Sequence, residues 1–229
     1  MIGLLNIHKP AGPSSREAVD RVQRLVRPHK AGHAGTLDPI AAGVLVVCVG
    51  KATRLIEYVQ QMPKGYTALF RFGARSDTED IEGVVEQPAG VQIPEEHEIR
   101  TVLPRFLGDI SQRPPAFSAV KVEGKRAYRL ARRGKAVELA PRPVTIHELE
   151  IVRYEPPELT LAVRCGSGTY IRSLGRDLAE ALGTCAVMAA LTRTAIGRFT
   201  LEDALPMDAI SAEILRAHLR PAVEALGDM

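Results

Sequence analysis

The sequence has no long apolar run and nothing that suggests export. Its 229 residues contain no uninterrupted apolar stretch of about 18, the length needed to cross a bilayer, so no membrane span is predicted. Residues 1–10 carry neither the apolar core nor the small-residue cleavage site of a secretory signal. We therefore expect a cytoplasmic protein.

Cysteine is scarce as well. The chain has three cysteines, Cys48, Cys165 and Cys185, and they are far apart and form no C-x-x-C pair. An odd, sparse set of this kind is typical of reduced thiols in a reducing compartment, and it argues against a disulfide framework.

Clusters of metal-binding residues are also missing. His29 and His33 have the i, i+4 spacing that suits a metal on a helix, but Gly32 and Gly35 disfavour a helix there. No third ligand follows at a useful spacing. We expect no metal site.

Positive charge is concentrated rather than abundant. The net charge of +3 is weak evidence for a polyanionic partner, but basic residues crowd the segment 121–135, where Glu123 is the only acid. This basic stretch contains Lys121, Lys125, Arg126, Arg129, Arg132, Arg133 and Lys135. Such a cluster suits a phosphate backbone. Composition alone is equally consistent with a solvated helix face.

The pattern of apolar residues predicts an α+β fold. Ser14 and Glu17 form a capping box that should begin a helix, and Pro28 should close it. The continuous apolar run Val44 to Val49 predicts a strand that is buried on both faces. Because strands and helices mix irregularly, we expect a mixed, mostly antiparallel central sheet flanked by helices.

Four further elements are predicted with less regular patterns. Strands are expected at 83–86 and 117–122, and a helix with apolar spacing from Ile99 to Phe106 contains Pro104, which cannot sit comfortably in a helix interior. A glycine-rich turn at 166–168 should open another helix.

The segment 32–39, with sequence GHAGTLDP, is the most informative in the chain. Glycines let the backbone approach a ligand closely, and Asp38 stands between this turn and a buried strand, where a carboxylate can be held rigidly. Asp-Pro is also a common turn initiator. Spacing alone therefore leaves both a catalytic and a structural role open for Asp38.

Five ordered motifs resemble those of TruB-type tRNA pseudouridine synthases. The segment 32–39 is continued by AGVL at 42–45 and GKAT at 50–53, and it resembles the signature of that family. The other four motifs are LLNIHKP at 4–10 with Gly12, Ser14 and Ser15; KGY at 64–66 with Gly73, Ser76, Thr78, Asp80 and Gly83; PP at 114–115 and FSAVK at 117–121 with Gly124, Tyr128, Ala131 and Arg132; and CGSGTYIRSL at 165–174. The resemblance extends to about Phe199.

The resemblance implies that a uracil is detached from C1′, rotated and rejoined through C5, with no metal or organic cofactor. Breaking a glycosidic bond develops positive charge on the sugar, which an ionised carboxylate can attack or stabilise. Asp38 would be that carboxylate. Arg172 matches the family's active-site arginine and would keep Asp38 ionised; without the resemblance, a surface helix residue would be the better interpretation of Arg172.

The resemblance also implies how the uridine is held. A base inside a tRNA loop must be flipped out to reach Asp38, and Tyr66 matches the tyrosine on which it stacks and which can serve in proton transfer at C5. A core tyrosine on an alternating strand is the alternative. The remaining substrate-binding residues implied are Lys9, His33, Asp80, Tyr170 and Leu191, with Asp80 expected to pair with Arg172.

The expected organisation is one catalytic domain at 1–200, with an RNA-gripping insertion near 113–137, followed by a short helical tail at 201–229. Many family members have a further C-terminal RNA-binding domain after this point, and we expect this chain to be a short form that lacks it. Lys121, Arg126, Arg129, Arg132 and Arg133 are expected to contact the RNA backbone. We expect a monomer that acts on the T arm of tRNA, at position 55, without an obligatory protein partner. The alternatives are a guide-RNA-dependent relative and a non-catalytic RNA-binding or RNA-folding protein.

Overall fold

The chain forms two compact units. The computed structural model describes residues 1–118, 121–122, 125–127 and 139–226, with the backbone alone at 121, 122, 125 and 126. Contacts group Met1–Thr67 with Leu191–Met229 in the first unit, and Ala68–Ala190 forms the second. The division expected near residue 200, into a catalytic domain and a short helical tail, stays a prediction. No helix in the described part of the chain is long and apolar enough to span a membrane.

The helices and strands alternate irregularly along the chain. The first unit contains β1 (Gly3–Lys9), α1 (Ser15–Val26), β2 (Ala31–His33), β3 (Ala41–Val49), α2 (Ile56–Gln61), β11 (Phe199–Thr200), β12 (Leu205–Pro206) and α5 (Ala212–Ala217). The second contains α3 (Glu96–Val102), β5 (Gly108–Gln112), β6 (Lys121–Val122), β7 (Lys125–Arg126), β8 (Arg142–Glu155), β9 (Glu158–Cys165) and α4 (Ile171–Ala181). Strands β4 (Lys64–Phe72) and β10 (Ala186–Ile196) have residues in both units.

Strand β3 is the centre of the first unit. It pairs antiparallel with β1 and with β2, and its first residues pair in parallel with Leu191–Arg193 of β10. Its side chains alternate between two apolar clusters, with Leu45 and Val47 beside α1 in one, and Val44 and Val46 in the other. The strand is buried on both faces, as its continuous apolar run predicts.

Helix α1 begins as the sequence predicts. The Ser14 hydroxyl accepts from the Glu17 N–H at 3.2 Å, and the Glu17 carboxylate accepts from the Ser14 N–H at 2.7 Å. This capping box satisfies two backbone donors that would otherwise lack partners. The helix ends at Val26, two residues before Pro28, and buries Val19 and Val22 against the sheet.

The second unit is built on the antiparallel pairs β5–β8 and β8–β9. Helix α4 packs closely on the Ala68–Phe72 part of β4, because Gly175 leaves room for the ring of Phe70. A Cβ at Gly175 would lie 2.2 Å from that ring, so no larger residue fits without displacing it.

The α+β prediction with a mixed sheet is confirmed, but several local predictions are wrong. Residues 83–86 form no strand; Glu86 makes a single bridge to Arg75. Phe117 and Ser118 lie in a bend, and the strand expected there is limited to Lys121–Val122 among the described residues. The helix expected to reach Phe106 ends at Val102 and continues as a 3₁₀ turn that includes Pro104, which lacks the N–H an α-helix needs. The segment after Phe199 also contains β12, which pairs in parallel with β1.

Candidate active site

Asp38 lies in the loop between β2 and β3, and hydrogen bonds to the backbone fix that loop on both sides of it. The Ser15 hydroxyl, at the start of α1, accepts from the Leu37 N–H at 2.8 Å and donates to the Leu37 carbonyl at 2.9 Å. After Asp38, its own carbonyl accepts from the Ala41 N–H at 3.0 Å. Asp38 as a whole is half-buried. Its backbone is therefore held while the side chain stays partly open to a substrate.

Lys9 supports the loop that adjoins Asp38. Its ammonium is fully buried and donates to the carbonyls of Pro10 and Pro13, both at 2.8 Å. The same loop reaches the Asp38 turn, because the Gly12 N–H donates to the Pro39 carbonyl at 2.8 Å. These contacts give Lys9 a structural role in the first unit. The substrate contact expected for Lys9 stays a prediction.

A buried arginine that the sequence analysis missed holds the Asp38 loop from β10. Arg193 is 2% exposed. Its guanidinium donates to the carbonyls of Val44 at 2.7 Å, Thr36 at 3.3 Å and Gly35 at 3.3 Å. A guanidinium has five donors in a planar fork, so it can join several carbonyls that no other side chain would reach together.

Arg193 also faces the two groups expected to carry out the chemistry. Burial lowers the pKa of the Arg193 guanidinium, while a hydrogen bond and charge interaction with Tyr66 and the charge of Asp38 act to raise it. Asp38, Tyr66 and Arg193 therefore belong to one electrostatic cluster in the first unit. The only sequence signal for Arg193 is its two-residue spacing from Leu191, which places both side chains on the same face of a strand.

His33 and Leu191 lie beside this cluster. The pKa of His33 is lowered, first by burial and then by the charge of Arg193. At neutral pH the imidazole is therefore uncharged and can hydrogen-bond without adding positive charge. Leu191 is 8% exposed and pairs with Ala41, three residues after Asp38. Both positions suit contact with a substrate, and their roles stay predictions.

In the second unit, Arg172 and Asp80 form a buried ion pair. Their side chains are 8% and 4% exposed, with Nη1 of Arg172 3.5 Å from Oδ2 of Asp80. Arg172 also donates to the carbonyls of Thr78 at 2.8 Å and Phe117 at 3.0 Å. The other Asp80 oxygen accepts from the Thr78 hydroxyl at 2.6 Å and the Glu82 N–H at 3.0 Å. Hydrogen bonds of this kind offset the cost of burying two charges.

A second charged group, Glu79, flanks this pair and was not predicted. Glu79 has a φ of 64°, in the left-handed region that residues with side chains seldom adopt. Its carboxylate pairs with Arg176 and accepts from the Ser173 hydroxyl at 3.0 Å, both on α4. Burial raises the pKa of Glu79, and Arg176 opposes that effect. Anchoring Glu79 to α4 fixes the backbone next to Asp80.

Tyr170 is half-buried and precedes the first residue of α4. Its N–H donates to the Gln112 side chain at 2.8 Å, and its carbonyl accepts from the same side chain at 3.1 Å. The Arg142 guanidinium lies 5.3 Å from the ring centroid and donates to the phenol oxygen at 3.3 Å. The ring is thus held by a cation, and its expected contact with the base stays a prediction.

The remaining predictions concern residues that the structure does not describe in full. The side chains of Lys121 and Arg126, and the whole of Arg129, Arg132 and Arg133, lie outside the described residues. Within the described part of the chain, no group of three or more His, Cys, Asp or Glu side chains could hold a metal ion.

Sequence comparison decides the family. A sequence model described as the TruB family pseudouridylate synthase N-terminal domain matches residues 23–171. A second, described as the tRNA pseudouridylate synthase B C-terminal domain, matches residues 172–227. The chain belongs to the TruB family of pseudouridylate synthases. The second match also extends the family resemblance beyond Phe199, where the motifs end.

Individual TruB relatives agree over the whole chain. It is 43% identical to tRNA pseudouridine synthase B of Rhodopirellula baltica over 243 residues, covering 100% of this chain and 70% of that protein. It is 46% identical to the enzyme of the same name from Gloeobacter violaceus over 216 residues, covering 93% of this chain and 74% of that protein.

Solved structures show the same fold at lower identity. The chain matches a protein of a Cbf5-Nop10-Gar1 complex with a TM-score of 0.74 and 30% identity, covering 97% of this chain. It matches a chain of an H/ACA RNP bound to a substrate RNA with a TM-score of 0.71 and 28% identity. This TruB chain spans 61% and 60% of the length of those two solved chains.

Proposed function

We propose that this chain converts a uridine of tRNA into pseudouridine, with Asp38 as the catalytic carboxylate. The observation that carries the proposal is the Asp38 loop, whose backbone is fixed by Ser15 before the carboxylate and by the Ala41 N–H after it. Rigid placement of a reacting group can supply a large part of a rate enhancement. Whole-chain similarity to proteins named tRNA pseudouridine synthase B supports tRNA as the substrate.

The reaction needs an anion beside the sugar. As the C1′–N1 bond breaks, its electron pair leaves with the uracil and positive charge develops at C1′. The Asp38 carboxylate stabilises or captures that charge. After the base has rotated, C5 bonds to C1′, C5 loses its proton, and N1 takes one up. Atoms and electrons balance without an oxidant or a reductant, so we propose that the reaction requires no metal and no organic cofactor.

The base must leave its stack before it meets Asp38. Tyr66 is half-buried and belongs to the same cluster as Asp38, which suits a tyrosine that stacks on a flipped base. Stacking on an aromatic ring contributes on the order of 1–3 kcal/mol per base. We infer that Tyr66 is the platform and that His33 and Leu191 line the same pocket of the first unit. Arg172, Asp80 and Tyr170 are proposed as further active-site residues on the family resemblance.

We propose the T loop, at position 55, as the target, and the T arm as the part of tRNA that is recognised. RNA hairpins are recognised through shape, backbone and splayed loop bases, all of which an isolated stem-loop retains. A T-arm hairpin should therefore be modified almost as efficiently as whole tRNA, compared by kcat/KM at one salt concentration. A hundredfold weaker hairpin would show that other parts of the tRNA are essential.

Mapping pseudouridine in tRNA incubated with the purified protein tests the proposal directly. We expect one modified uridine in the T loop with protein alone, and none with Asp38→Asn. Modification that appears only after a guide RNA and partner proteins are added would support the guide-dependent alternative, whose solved relatives are 28–30% identical. Tight tRNA binding without any modification would support a purely RNA-binding or RNA-folding protein.

The proposed enzyme acts as a monomer in the cytoplasm, where its substrate is. Sedimentation of the protein at micromolar concentration tests the monomer. Activity that disappears in a chelator and returns with added metal, while the tRNA stays folded, would contradict the proposal of a metal-free reaction.

A further inference from the structure

The environment of Arg193 is unusual for a residue that only supports a loop. The residue is 2% exposed, and burying a cation is costly unless negative charge compensates it. Carbonyls of Gly35, Thr36 and Val44 could be satisfied by neutral donors. Negative charge stabilises a buried guanidinium further, and two groups that act on Arg193 in this way are the Tyr66 side chain, through a hydrogen bond and charge, and the Asp38 carboxylate.

The position of this guanidinium is set by its backbone. Arg193 pairs in parallel with Gly43, and a Cβ at Gly43 would lie 2.2 Å from the Arg193 carbonyl oxygen. Gly43 also has a φ of 109°, which favours glycine. The two strands therefore approach more closely than a side chain would permit. From this fixed point the guanidinium reaches the Asp38 loop and the Tyr66 phenol together.

We propose that Arg193 is a positioning residue that fixes the Asp38 loop and holds the Tyr66 phenol in a state in which its oxygen can accept a proton from the substrate. The inference rests on the proposed function, because the proton in question is the one that C5 loses. A hydrogen-bonded cation stabilises a phenolate more than a neutral phenol. Arg193 thus links the carboxylate that acts at the sugar to the tyrosine that acts at the base.

The proton-transfer step balances with these groups alone. When C5 has bonded to C1′, it carries one hydrogen more than the product. That proton passes to the Tyr66 phenolate oxygen. The electron pair of the C–H bond restores the C5–C6 double bond, and the electron pair of the C6–N1 double bond moves to N1. Tyr66 then returns its proton to solvent, and N1 takes up a proton from solvent. Arg193 remains charged throughout and bonds to no substrate atom.

The absorbance of tyrosinate gives a readout that a merely structural role of Arg193 would not change. The chain has no tryptophan and five tyrosines, so phenolate formation can be followed by ultraviolet absorbance with little interference. The signal of Tyr66 is the difference between the parent protein and Tyr66→Phe. In the parent, we expect its midpoint below the ordinary tyrosine value of about 10.

Three variants test whether the charge of the Arg193 guanidinium sets the titration midpoint of Tyr66. Arg193→Gln should move the Tyr66 midpoint upward by about one pH unit or more, because it removes the cation. Arg193→Lys keeps the charge and should move the midpoint by less than half of that shift. The matched control is Arg71→Gln, an exposed arginine on the same strand as Tyr66 that pairs with Glu158, and it should leave the midpoint unchanged.

The outcomes separate this inference from the proposed function. A folded Arg193→Gln variant with an unmoved Tyr66 midpoint overturns the inference, even if the parent modifies tRNA normally. If circular dichroism shows that Arg193→Gln does not fold, the parent decides, and a Tyr66 midpoint above about 10 overturns the inference. If Arg193→Gln moves the Tyr66 midpoint but the parent protein forms no pseudouridine, the proposed function is overturned instead.

Activity supplies a second readout. Arg193→Gln should lower kcat while tRNA affinity stays within about twofold, and a loss confined to KM contradicts the inference.

Discussion

The two units each contain a buried arginine, but the arginines are compensated differently. Arg172 of the second unit has Asp80 3.5 Å away, and hydrogen bonds from Thr78 and Glu82 hold that carboxylate in place. Arg193 of the first unit donates to three main-chain carbonyls and faces Asp38 and Tyr66. The Asp80 carboxylate is held by neighbouring donors, whereas Asp38 and Tyr66 are the groups proposed to react. Arg172 thus completes a buried ion pair, whereas Arg193 lies beside two groups that are proposed to react.

The largest expected effect comes from removing the negative charge of Asp38, which lies in one electrostatic cluster with Tyr66 and Arg193. Asp38→Asn keeps the shape of the side chain but not its charge, so turnover should fall by on the order of 10⁴-fold. Affinity for tRNA should stay nearly unchanged, because the hydrogen bonds from Ser15, Arg193 and the Ala41 N–H still hold the surrounding loop. Single-turnover pseudouridine formation and filter binding measure the two quantities.

The control for Asp38 is another aspartate of the first unit. Asp20→Asn alters an exposed carboxylate on α1 that pairs only with Arg16 among its described contacts, and it should leave turnover unchanged. Substantial activity in a cleanly purified Asp38→Asn protein would show that the carboxylate is not catalytic. Arg193 would then no longer differ from Arg172 by lying beside a reacting carboxylate.

The Arg172–Asp80 pair should show its effect first in stability. Asp80→Asn removes the carboxylate that lies 3.5 Å from the buried Arg172 guanidinium, and breaking a buried ion pair costs about 3–5 kcal/mol of unfolding free energy. The double variant Asp80→Asn with Arg172→Met should lose less than the sum of the two single losses, because neither charge is then stranded. Urea unfolding of the four proteins measures the coupling, and strictly additive losses would show that the pair contributes nothing.

Local rules of helix and strand formation predicted much of the first unit. The capping box of Ser14 and Glu17 and the apolar run of β3 are encoded by residues close in sequence, and both are confirmed. The prediction of a strand at 83–86 is wrong, and the reason lies in nearby side chains. Asp77 and Asp80 accept hydrogen bonds from the nearby Val84 and Glu82 N–H groups, so side chains replace the ladder that a strand would need.

The residues around the site were harder to predict because their contacts are long-range. Arg193 meets Gly35, Thr36 and Val44, which are about 150 residues earlier in the chain, with separations of 149 to 158 for its hydrogen bonds. The sequence AVMAALTRTAI of β10 has no clear alternation of apolar and polar residues, so the strand was not indicated. Without the strand, the two-residue spacing between Leu191 and Arg193 could not indicate that the arginine is buried. Glu79 likewise gains its role from Ser173 and Arg176 on α4.

The arginines of the basic stretch extend the comparison to charge that is expected to contact RNA. If Arg129 and Arg132 of the basic stretch meet phosphates, each contact contributes roughly 0.7–0.9 to the slope of log affinity against log salt. Replacing both with Gln should flatten the slope by about 1.4–1.8 and weaken binding. The control is Arg153→Gln, an exposed arginine on β8 paired with Glu155, which should leave the slope unchanged. Equal slopes in all three proteins would mean that the basic stretch is merely solvated.

The smallest expected effect is the pH dependence that His33 adds to stability. Burial and the charge of Arg193 lower the pKa of His33 in the folded state, whereas the unfolded chain has an ordinary value near 6.5. Below pH about 6.5, His33 therefore binds a proton in the unfolded state but stays unprotonated in the folded state until the pH is lower. Stability from this group is present at neutral pH and is lost as the pH falls, by at most about 1.4 kcal/mol per pH unit.

Replacing His33 with Asn should remove that dependence. The unfolding free energy of the parent, relative to His33→Asn, should decline between pH 7.5 and 5.5, while His147→Asn, at an exposed position on β8, should give no comparable decline. Because the charge of Arg193 is one cause of the lowered pKa, the decline should be smaller when the comparison is repeated in Arg193→Gln. A decline of the same size in that background would mean that burial alone acts on His33. In that case the guanidinium of Arg193 would have no measurable electrostatic effect on His33. Its proposed electrostatic role would then concern only the reacting groups, Asp38 and Tyr66.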